Sequence, residues 1–455
     1  MKNTLKSIIC ITIALFASMG NVHADEFIRY TMVDNTSSNT IIRHYTNNCN
    51  LACYHSTNSP FFIAYIDGVA TTNMMYLPLM DTIYDFEIFE DTVYFCGISK
   101  KNVSGPAIVG YFDIASFLSS SLTTNVSYVA LPSMKTVKAI DVGKFAERKH
   151  VVGIGKNLKA EGMMVDMIEE PSYWNLNFSN VGGDTILLSD LAITSSFVVV
   201  TSTRTGAIFV PSEFLWYIKK PVTPGQSLFP CNVIYKTHPG IYGTKFSIAK
   251  VLNDEFVTAY HYSVLPSSKP IALSYYDGYN YFRSVFIDET PNSIFSLQDL
   301  KIGLDNVEVL ASGLYADPAG TFIISKVFEI PNTDPVPSII FAHSYKGVFL
   351  TSIDRIAQLI FGDDHYYASG YDQSSGYGVP YYMKFMYHGF HGNCLDYVEE
   401  PARNIYLEKR THSESLDNTM MQQFPEEIPA SKKPAIVETK CYSQTQTDEN
   451  DNEQE

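Results

Sequence analysis

The sequence predicts an all-β fold built from about seven similar units of short antiparallel strands. Three observations support this fold class: apolar residues alternate with polar ones in short runs, turn residues separate these runs, and the pattern returns at a nearly constant interval. The pattern is clearest in residues 84–97, where Phe86 and Ile88 alternate with polar residues before a turn at Glu90–Asp91. A second run around Val93 follows this turn, and residues 107–113 supply a third strand.

Equivalent apolar positions mark the first strand of each later unit. They are Phe86, Ile140, Leu191, Phe246, Leu300 and Ile356, and the steps between them are 54, 51, 55, 54 and 56 residues. A period of about 50 residues with only strands in each unit is typical of the four-stranded blades of a β-propeller. We therefore expect a propeller of about seven four-stranded blades, with six blades or a pair of β-sandwiches as alternatives.

The first unit is predicted by stepping back once more from Phe86. This step leads to residues 27–33, which read as a strand, and residues 61–67 resemble the third strand of the unit that follows. We expect these two segments to belong to the same first blade.

Composition and charge agree with a large β-structure. Hydrophobic residues make up 45% of the chain, and 28 Phe and 31 Tyr suit strands with one buried and one wet face. The formal net charge is -16, and becomes -18 when Lys2 and Lys6 are removed with a leader. Such a chain repels nucleic acid and anionic membranes, so we expect no nucleic-acid partner.

Residues 1–24 have the pattern of a secretory signal peptide. Lys2 and Lys6 give a charged start, residues 8–16 give an apolar centre, and Ala24 ends a small-residue cleavage site. A lipoprotein leader that uses Cys10 is disfavoured because the bulky Ile9 precedes it. No later run is apolar over about 18 residues, so we expect no transmembrane segment. The leader predicts export to the periplasm, the cell surface or the medium.

The chain divides at about residue 410. Residues 25–409 carry the period, whereas residues 410–455 have few apolar side chains and end in an acidic, Gln- and Asn-rich run. Such a composition is typical of disordered chains, because it buries too little apolar area to offset the entropy cost of ordering. We therefore predict a disordered acidic tail.

Two cysteines lie close together in sequence. Residues 47–53 are predicted to form one loop that contains Cys49 and Cys53, and an exported chain can oxidise these two cysteines to a disulfide. The second alternative is that both cysteines are free thiols, and the third is a zinc site that includes His55. The disulfide is favoured over the others, and no metal or cofactor is predicted.

The last unit carries a cluster of acidic and aromatic residues. Tyrosines on loops can stack on sugar rings while carboxylates bind sugar hydroxyls. The candidate ligand-binding residues are Asp363, Asp364, His365, Tyr366, Tyr371 and Tyr377. The alternative, which the pattern favours, is that these residues occupy alternate positions of ordinary strands.

An aspartate recurs directly before three of the six apolar positions. Asp85, Asp190 and Asp299 would lie at equivalent places near the axis of a ring, where converging carboxylates can bind a cation or a polar ligand. Carboxylates at such positions also accept local turn hydrogen bonds. Because the remaining units carry alanine, lysine or arginine at this position, the turn role is favoured.

No catalytic residues can be assigned from sequence motifs. The chain has no Gly-x-Ser-x-Gly, no His-Glu-x-x-His, no phosphate loop and no Gly-x-Gly-x-x-Gly. Propeller active sites are assembled from several blades, so their residues leave no compact motif.

Residues 84–97, with Gly110–Asp113 after them, resemble the uncharacterised exported β-propeller-like proteins of Bacteroides-type gut bacteria. The resemblance covers the first third of the chain, and it implies a fold and an exported location but no activity. We expect a non-catalytic binding or scaffold module at the cell envelope, with a protein or glycan partner. The alternative is a propeller-fold carbohydrate-active enzyme, a glycoside hydrolase or lyase. A His–carboxylate group in a deep axial pocket would favour that enzyme.

Overall fold

The fold is taken from a computed structural model. It describes residues 26–31, 36–46, 49–56, 59–66, 69, 71–100, 107–145, 148–169, 172–178, 185–205, 213–218, 228–237, 242–250, 253–263, 271–287, 294–302, 308–317, 320–329, 339–346, 348–357, 364–372, 379–386, 396–397, 402–405 and 408–443. The predicted signal peptide lies outside these residues.

The predicted all-β class is confirmed. The described part of the chain forms 32 strands and one five-residue helix, α1 (Ile114–Leu118). Asp113 begins this helix, because its carboxylate accepts a hydrogen bond from the Ser116 backbone N–H at 2.6 Å. Among the described residues no helix combines the length and the apolar character needed to cross a bilayer.

The strands group into seven antiparallel units of four strands, in which each strand pairs with the next. Unit 1 contains β2 (Thr36–Thr46), β3 (Cys49–Ser56), β4 (Pro60–Ile66) and β5 (Thr71–Tyr76). Unit 2 contains β6 (Met80–Phe89), β7 (Thr92–Ser99), β8 (Ala107–Asp113) and β9 (Thr123–Leu131). Unit 3 contains β10 (Met134–Phe145), β11 (Arg148–Asn157), β12 (Gly162–Glu169) and β13 (Ser172–Phe178). Unit 4 contains β14 (Thr185–Ile193), β15 (Val198–Thr205), β16 (Glu213–Ile218) and β17 (Leu228–Thr237).

The last three units follow the same plan. Unit 5 contains β18 (Tyr242–Lys250), β19 (Glu255–Ser263), β20 (Ile271–Asp277) and β21 (Asn280–Ile287). Unit 6 contains β22 (Ile294–Ile302), β23 (Glu308–Asp317), β24 (Gly320–Glu329) and β25 (Ile339–Lys346). Unit 7 contains β26 (Val348–Ala357), β27 (Asp364–Asp372), β28 (Val379–Met386) and, from the other end of the chain, β1 (Glu26–Thr31).

The predicted period is confirmed at strand level. The six apolar positions lie in the first strands of units 2 to 7, one in each unit: Phe86, Ile140, Leu191, Phe246, Leu300 and Ile356. The prediction for the first unit is wrong in one respect. Residues 27–31 form a strand, but β1 pairs with β28 of unit 7 and not within unit 1. The first strand of unit 1 is β2, which the sequence period did not locate.

First strands of consecutive units pack side by side. Strands β2, β6, β10, β14, β18, β22 and β26 contact one another in this order, and β26 contacts β2. Apolar clusters fill the space between neighbouring units. Between units 1 and 2, for example, the Phe62 ring lies 5.1 Å from the rings of both Phe86 and Phe112, edge to face.

The prediction of strands with one wet face is wrong for many strands. Strands β3 and β4 are buried along nearly their whole length, because each unit packs against a neighbour on both faces. Tyr54 and Tyr65 are therefore fully buried, and their hydroxyls share a hydrogen bond of 3.1 Å. Tyr65 also pairs with Thr31 of unit 7 at 2.5 Å, so buried hydroxyls satisfy one another across units.

The C-terminal segment forms what we name the belt: strands β29 (Asp396–Tyr397), β30 (Ala402–Ile405), β31 (Glu408–Gln422) and β32 (Glu426–Ser443). Strand β29 pairs with the last strand of unit 6 and β30 with that of unit 5. Strand β31 pairs with units 4 and 3, and β32 pairs with units 2, 1 and 7. Every unit thus gains a fifth, outermost strand.

The prediction of a disordered tail from residue 410 is wrong for residues 410–443. Composition suggested disorder because these strands bury little apolar area of their own. They are ordered by backbone pairing with sheet edges that already exist, and small residues such as Ala430 and Ala435 face inward. Residues 444–455 lie outside the described part of the chain.

The belt also changes the sheet count. Strand β31 joins units 3 and 4 into a nine-stranded sheet, and β32 joins units 2, 1 and 7 into a thirteen-stranded sheet. Units 5 and 6 each form a five-stranded sheet with their belt strand. The prediction of seven separate four-stranded sheets is therefore wrong, because the belt strands join units into larger hydrogen-bonded sheets.

A β-bulge interrupts the first strand in several units, and a glycine lies opposite it. The register shifts between Ile83 and Asp85 in β6, where Ile83 faces Gly97 of β7. In unit 3 the register shifts after Val137, which faces Gly155. A Cβ atom on Gly97 would overlap the backbone carbonyl of Thr82, and one on Gly155 would overlap the equivalent carbonyl of Thr136.

We predict that Gly97→Ala and Gly155→Ala each lower the free energy of unfolding by about 3 kcal/mol, because a backbone carbonyl must move. Gly278→Asn serves as the control. Gly278 has a φ of +56°, which asparagine tolerates, and its nearest contact lies 3.6 Å from an added Cβ. Chemical denaturation measures the difference. Losses at Gly97 and Gly155 no larger than that at Gly278 would show that the bulges are not tightly packed.

Candidate functional site

The acidic and aromatic residues predicted near the end of the repeats lie largely in one strand. Asp364, His365, Tyr366 and Tyr371 belong to β27, which pairs with β26 and β28 along its length. Asp363 and Tyr377 lie outside the described residues. The predicted loop position is therefore wrong for the four described residues, and the alternative of strand positions is confirmed for their backbone.

The carboxylates of the first strands connect neighbouring units. Asp85 in β6 accepts a hydrogen bond from its own neighbour Phe86 N at 2.9 Å, and a second from Ile140 N of β10 at 3.1 Å. One oxygen therefore holds the bulge of unit 2, and the other holds the backbone of unit 3. The sequence predicted a local turn role for Asp85, and the contact to the next unit was missed.

The same arrangement recurs in the next two units. Asp141 in β10 accepts from Val142 N at 2.7 Å and from Ile193 N of unit 4 at 2.6 Å. Asp190 in β14 accepts from Leu191 N at 2.9 Å and from Ile248 N of unit 5 at 3.0 Å. We name Asp85, Asp141 and Asp190 the inter-unit carboxylates. Asp299 lies in β22 after an equivalent bulge, and its side chain is outside the described part.

Asp141 could not be found from the period. It lies two residues after Ala139, the position equivalent to Asp85, so the sequence alignment of the units passes over it. The sequence signal for Asp141 was that it lies within two residues of the recurring aspartate position. This signal is too weak to identify the residue.

Arg43 of unit 1 completes the contacts of Asp85. Its guanidinium lies 3.0 Å from Asp85 Oδ1 and 3.0 Å from Glu87 Oε1, and it donates to the Ile42 carbonyl at 2.8 Å. It also lies over the Phe86 ring at 5.6 Å. Because these groups are only 7 to 20% exposed, removal of one partner would leave a largely buried charge without compensation, which costs more than the loss of a surface salt bridge. Asp85 therefore connects units 1, 2 and 3.

His55 binds the same bulge from unit 1. Its Nε2 accepts a hydrogen bond from Ile83 N at 3.0 Å, which requires the neutral ring with its proton on Nδ1. Burial lowers the pKa of His55 to about 4, although the negative charge of Asp81 opposes this shift. His55 is thus a structural acceptor, and the zinc reading that included it finds no support in this geometry.

A buried His–carboxylate pair lies between units 3 and 4. Nδ1 of His150 in β11 lies 3.0 Å from both carboxylate oxygens of Asp166 in β12, and the residues are 0% and 3% exposed. Burial raises the pKa of Asp166, and the contact with His150 opposes this shift. The neighbouring positions on the same face, Val152 and Met164, belong to the apolar core. The pair is therefore sealed from solvent.

The predicted disulfide between Cys49 and Cys53 is wrong. Both residues lie in β3 and are buried as thiols. Four residues of extended strand span about 13 Å, whereas a disulfide needs Cα atoms within about 7 Å. Burial raises the pKa of Cys53 well above its ordinary value, so this thiol is unreactive.

A lysine of the belt is enclosed by carbonyl groups. Nζ of Lys432 donates to the backbone carbonyls of Ser116, Phe117 and Ser119 at 2.8, 3.1 and 2.8 Å, and lies 3.1 Å from the Ser119 hydroxyl. These carbonyls lie in the last turn and at the C-cap of helix α1, where the helix supplies too few backbone N–H donors, so they are natural acceptors for an ammonium group. The Ser116 carbonyl also accepts from the Ser119 and Thr124 hydroxyls at 2.7 and 3.2 Å. Removal from water lowers the pKa of Lys432. We name these acceptors the carbonyl cage.

No protein-family model matches the chain, and no curated protein matches it. In the described part of the structure, no group of three or more His, Cys, Asp or Glu side chains is arranged to hold a metal ion. The inter-unit carboxylates and His55 are instead engaged in contacts between units, the His150–Asp166 pair joins two strands of unit 3, and Lys432 joins the belt to unit 2.

We predict that Asp85→Asn lowers the free energy of unfolding by about 3 kcal/mol, because the amide loses the ion pair and turns a donor toward a backbone N–H. The control is Glu90→Gln. Glu90 is 67% exposed and lies 3.6 Å from Lys144, so its loss should cost less than about 0.5 kcal/mol. Urea denaturation of both variants measures the effect. Equal losses would mean that the inter-unit carboxylates contribute little.

We predict that acid weakens the protein through His55. Its pKa of about 4 lies below the 6.5 of the unfolded chain, so the unfolded state binds more protons between these values. The stabilisation is complete above pH 6.5 and falls by about 3 kcal/mol as the pH approaches 4. In His55→Gln the amide oxygen accepts from Ile83 N and does not titrate. The free energy of unfolding, measured from pH 7 to 4, should fall less in this variant; parallel curves would contradict the assignment.

Proposed function

We propose that this protein is an exported, non-catalytic β-propeller of seven blades that acts as a binding or scaffold module at the cell envelope. Its partner is a protein or a glycan. The observation that carries the proposal is the use of Asp85, Asp141 and Asp190 as hydrogen-bond acceptors between consecutive units.

The order of contacts supports the ring. Each unit follows the previous one in the chain, first strands of neighbours pack together, and β26 returns to β2. The N-terminal strand β1 supplies the fourth strand of unit 7, which links the start of the described chain to the last repeat unit, as ring closure requires. A pair of barrels or sandwiches agrees with the nine-stranded sheet, but that sheet is continuous only through the belt strand β31.

The engagement of the carboxylates supports a binding role over catalysis. A general acid or a nucleophile must reach a substrate, whereas each inter-unit carboxylate accepts two backbone N–H groups. The His150–Asp166 pair is 0% and 3% exposed, between units and among apolar side chains. These groups make a rigid frame, and a rigid frame lowers the entropy cost of binding at its loops.

Two properties of the sequence support the location and the partner class. The leader at residues 1–24 supports export, and the charge of -16 disfavours nucleic acid and anionic lipid. A protein or a neutral or basic glycan remains the best match.

The test is a binding screen of the chain from Asp25 onward against an oligosaccharide array and against purified envelope proteins, with mass spectrometry of every glycan after incubation. Saturable binding of an unchanged ligand supports the proposal. Cleavage of any glycan by the purified protein would contradict it and would favour a glycoside hydrolase or lyase. Absence of the protein from the envelope and the medium would contradict the location.

A further inference from the structure

The contacts of belt strand β32 with unit 2 define a binding site for an extended strand. Belt residues 426–431 pair antiparallel with β9, the last strand of unit 2, from Glu426 opposite Tyr128 to Ser431 opposite Thr123. Ile428 and Ala430 face the core between units 1 and 2, whereas Glu427, Pro429 and Ser431 face solvent. Backbone pairing with inward small and apolar side chains is the way in which sheet edges recognise extended peptides.

The site continues at the point where β32 passes from unit 2 to unit 1. Ser431 is the last residue paired with β9, and Lys432 is the first paired with β5, opposite Met75. The Lys432 backbone N–H donates to the Leu122 carbonyl at 2.8 Å, and its ammonium fills the carbonyl cage. Lys432 is 7% exposed, so the cage selects one side chain at one position of the strand.

The chemistry of the cage is specific for an ammonium group. Its three carbonyls and one hydroxyl converge on a single atom, which suits a compact cation with three donors. A neutral amide such as acetyl-lysine loses the charge and keeps one donor. The next residue, Lys433, is exposed and lies over the Tyr76 ring at 5.8 Å, so it provides an internal comparison.

We propose that the edge of β9 and the carbonyl cage of α1 together form an acceptor site for an extended peptide strand that carries a lysine. Residues 426–432 of the belt are its resident occupant. The site recognises the strand through its backbone and the lysine through the cage. This inference is independent of what the loops of the ring bind.

The joint between β31 and β32 makes the site testable in the full chain. Residues 423–425 are unpaired, and Phe424 is 71% exposed, so a protease recognition sequence can replace them. After folding and cleavage, the released segment is removed by gel filtration in mild denaturant. The probe is a fluorescein-labelled synthetic peptide of residues 426–443, followed by fluorescence anisotropy.

We expect the labelled peptide to bind the cleaved protein at a single site. Acetylation of Lys432 in the peptide should weaken binding tenfold or more, about the worth of one charge-assisted hydrogen bond. Acetylation of Lys433 should change it less than about twofold, as for an exposed charge. Failure of the peptide to bind, or equal binding of the two acetylated peptides, would overturn the proposal.

A second measurement covers the case in which the cleaved protein unfolds. In the intact chain, hydrogen exchange of the backbone amides of residues 426–436 is compared between Lys432→Met and Lys433→Met. We expect faster exchange along the segment only in Lys432→Met, because the empty cage no longer holds the strand. Equal exchange in both variants would overturn the role of the cage.

Discussion

The fold depends on how the first strands of neighbouring units are joined. In the described part of the chain these strands lie side by side but share no backbone ladder, so N–H groups on the free edge of each first strand need other acceptors. Asp85, Asp141 and Asp190 supply them across the unit boundary, and His55 does so for Ile83. A buried N–H without a partner costs on the order of 1–3 kcal/mol, so these contacts help fix the orientation of each unit against the next. The apolar clusters between units also stabilise the packing, but the hydrophobic effect is non-directional and does not fix the orientation of the units.

The belt pairs with the last strand of each unit, at the other edge of the unit from the first strands. A four-stranded unit ends in a strand with unpaired backbone groups, which would otherwise invite pairing with other chains. The belt pairs with all seven of these edges, and its own outer edge carries Pro429 and Pro434, which have no N–H to offer. Its last strand lies beside β1, with Ser443 opposite Glu26. Both ends of the described part of the chain are therefore held at unit 7.

The repeat was predictable because apolar alternation and turn residues are local properties. Phe86, Ile140 and the four later positions all lie in first strands of consecutive units. The belt was not predictable, since its strands depend on edges formed elsewhere in the chain and bury small residues such as Ala430. The position of β1 in unit 7 was missed for the same reason: pairing over more than 350 residues leaves no local trace.

The candidate site was predictable only in part. The recurrence of Asp85 and Asp190 marked a special position, but the choice between a turn, a ligand and a neighbouring unit depends on spatial partners. The pairing of His150 with Asp166 and the enclosure of Lys432 have no sequence signal, because a single histidine or lysine is common in any strand. The error at Cys49 and Cys53 came from reading a strand as a loop, in which four residues can fold back.

The most direct test of a closed ring is a set of spin-label distances from one unit to all the others. One label replaces Thr46 at the first hairpin of unit 1, and the second is moved through equivalent hairpin positions in units 2 to 7: Glu90, Arg148, Ser195, Asn253, Glu308 and Asp364. A ring predicts that the distance rises to units 4 and 5 and falls again, so that unit 7 is as close to unit 1 as unit 2 is. A distance that keeps rising through unit 7, or two groups of distances from stacked sheets, would contradict the ring.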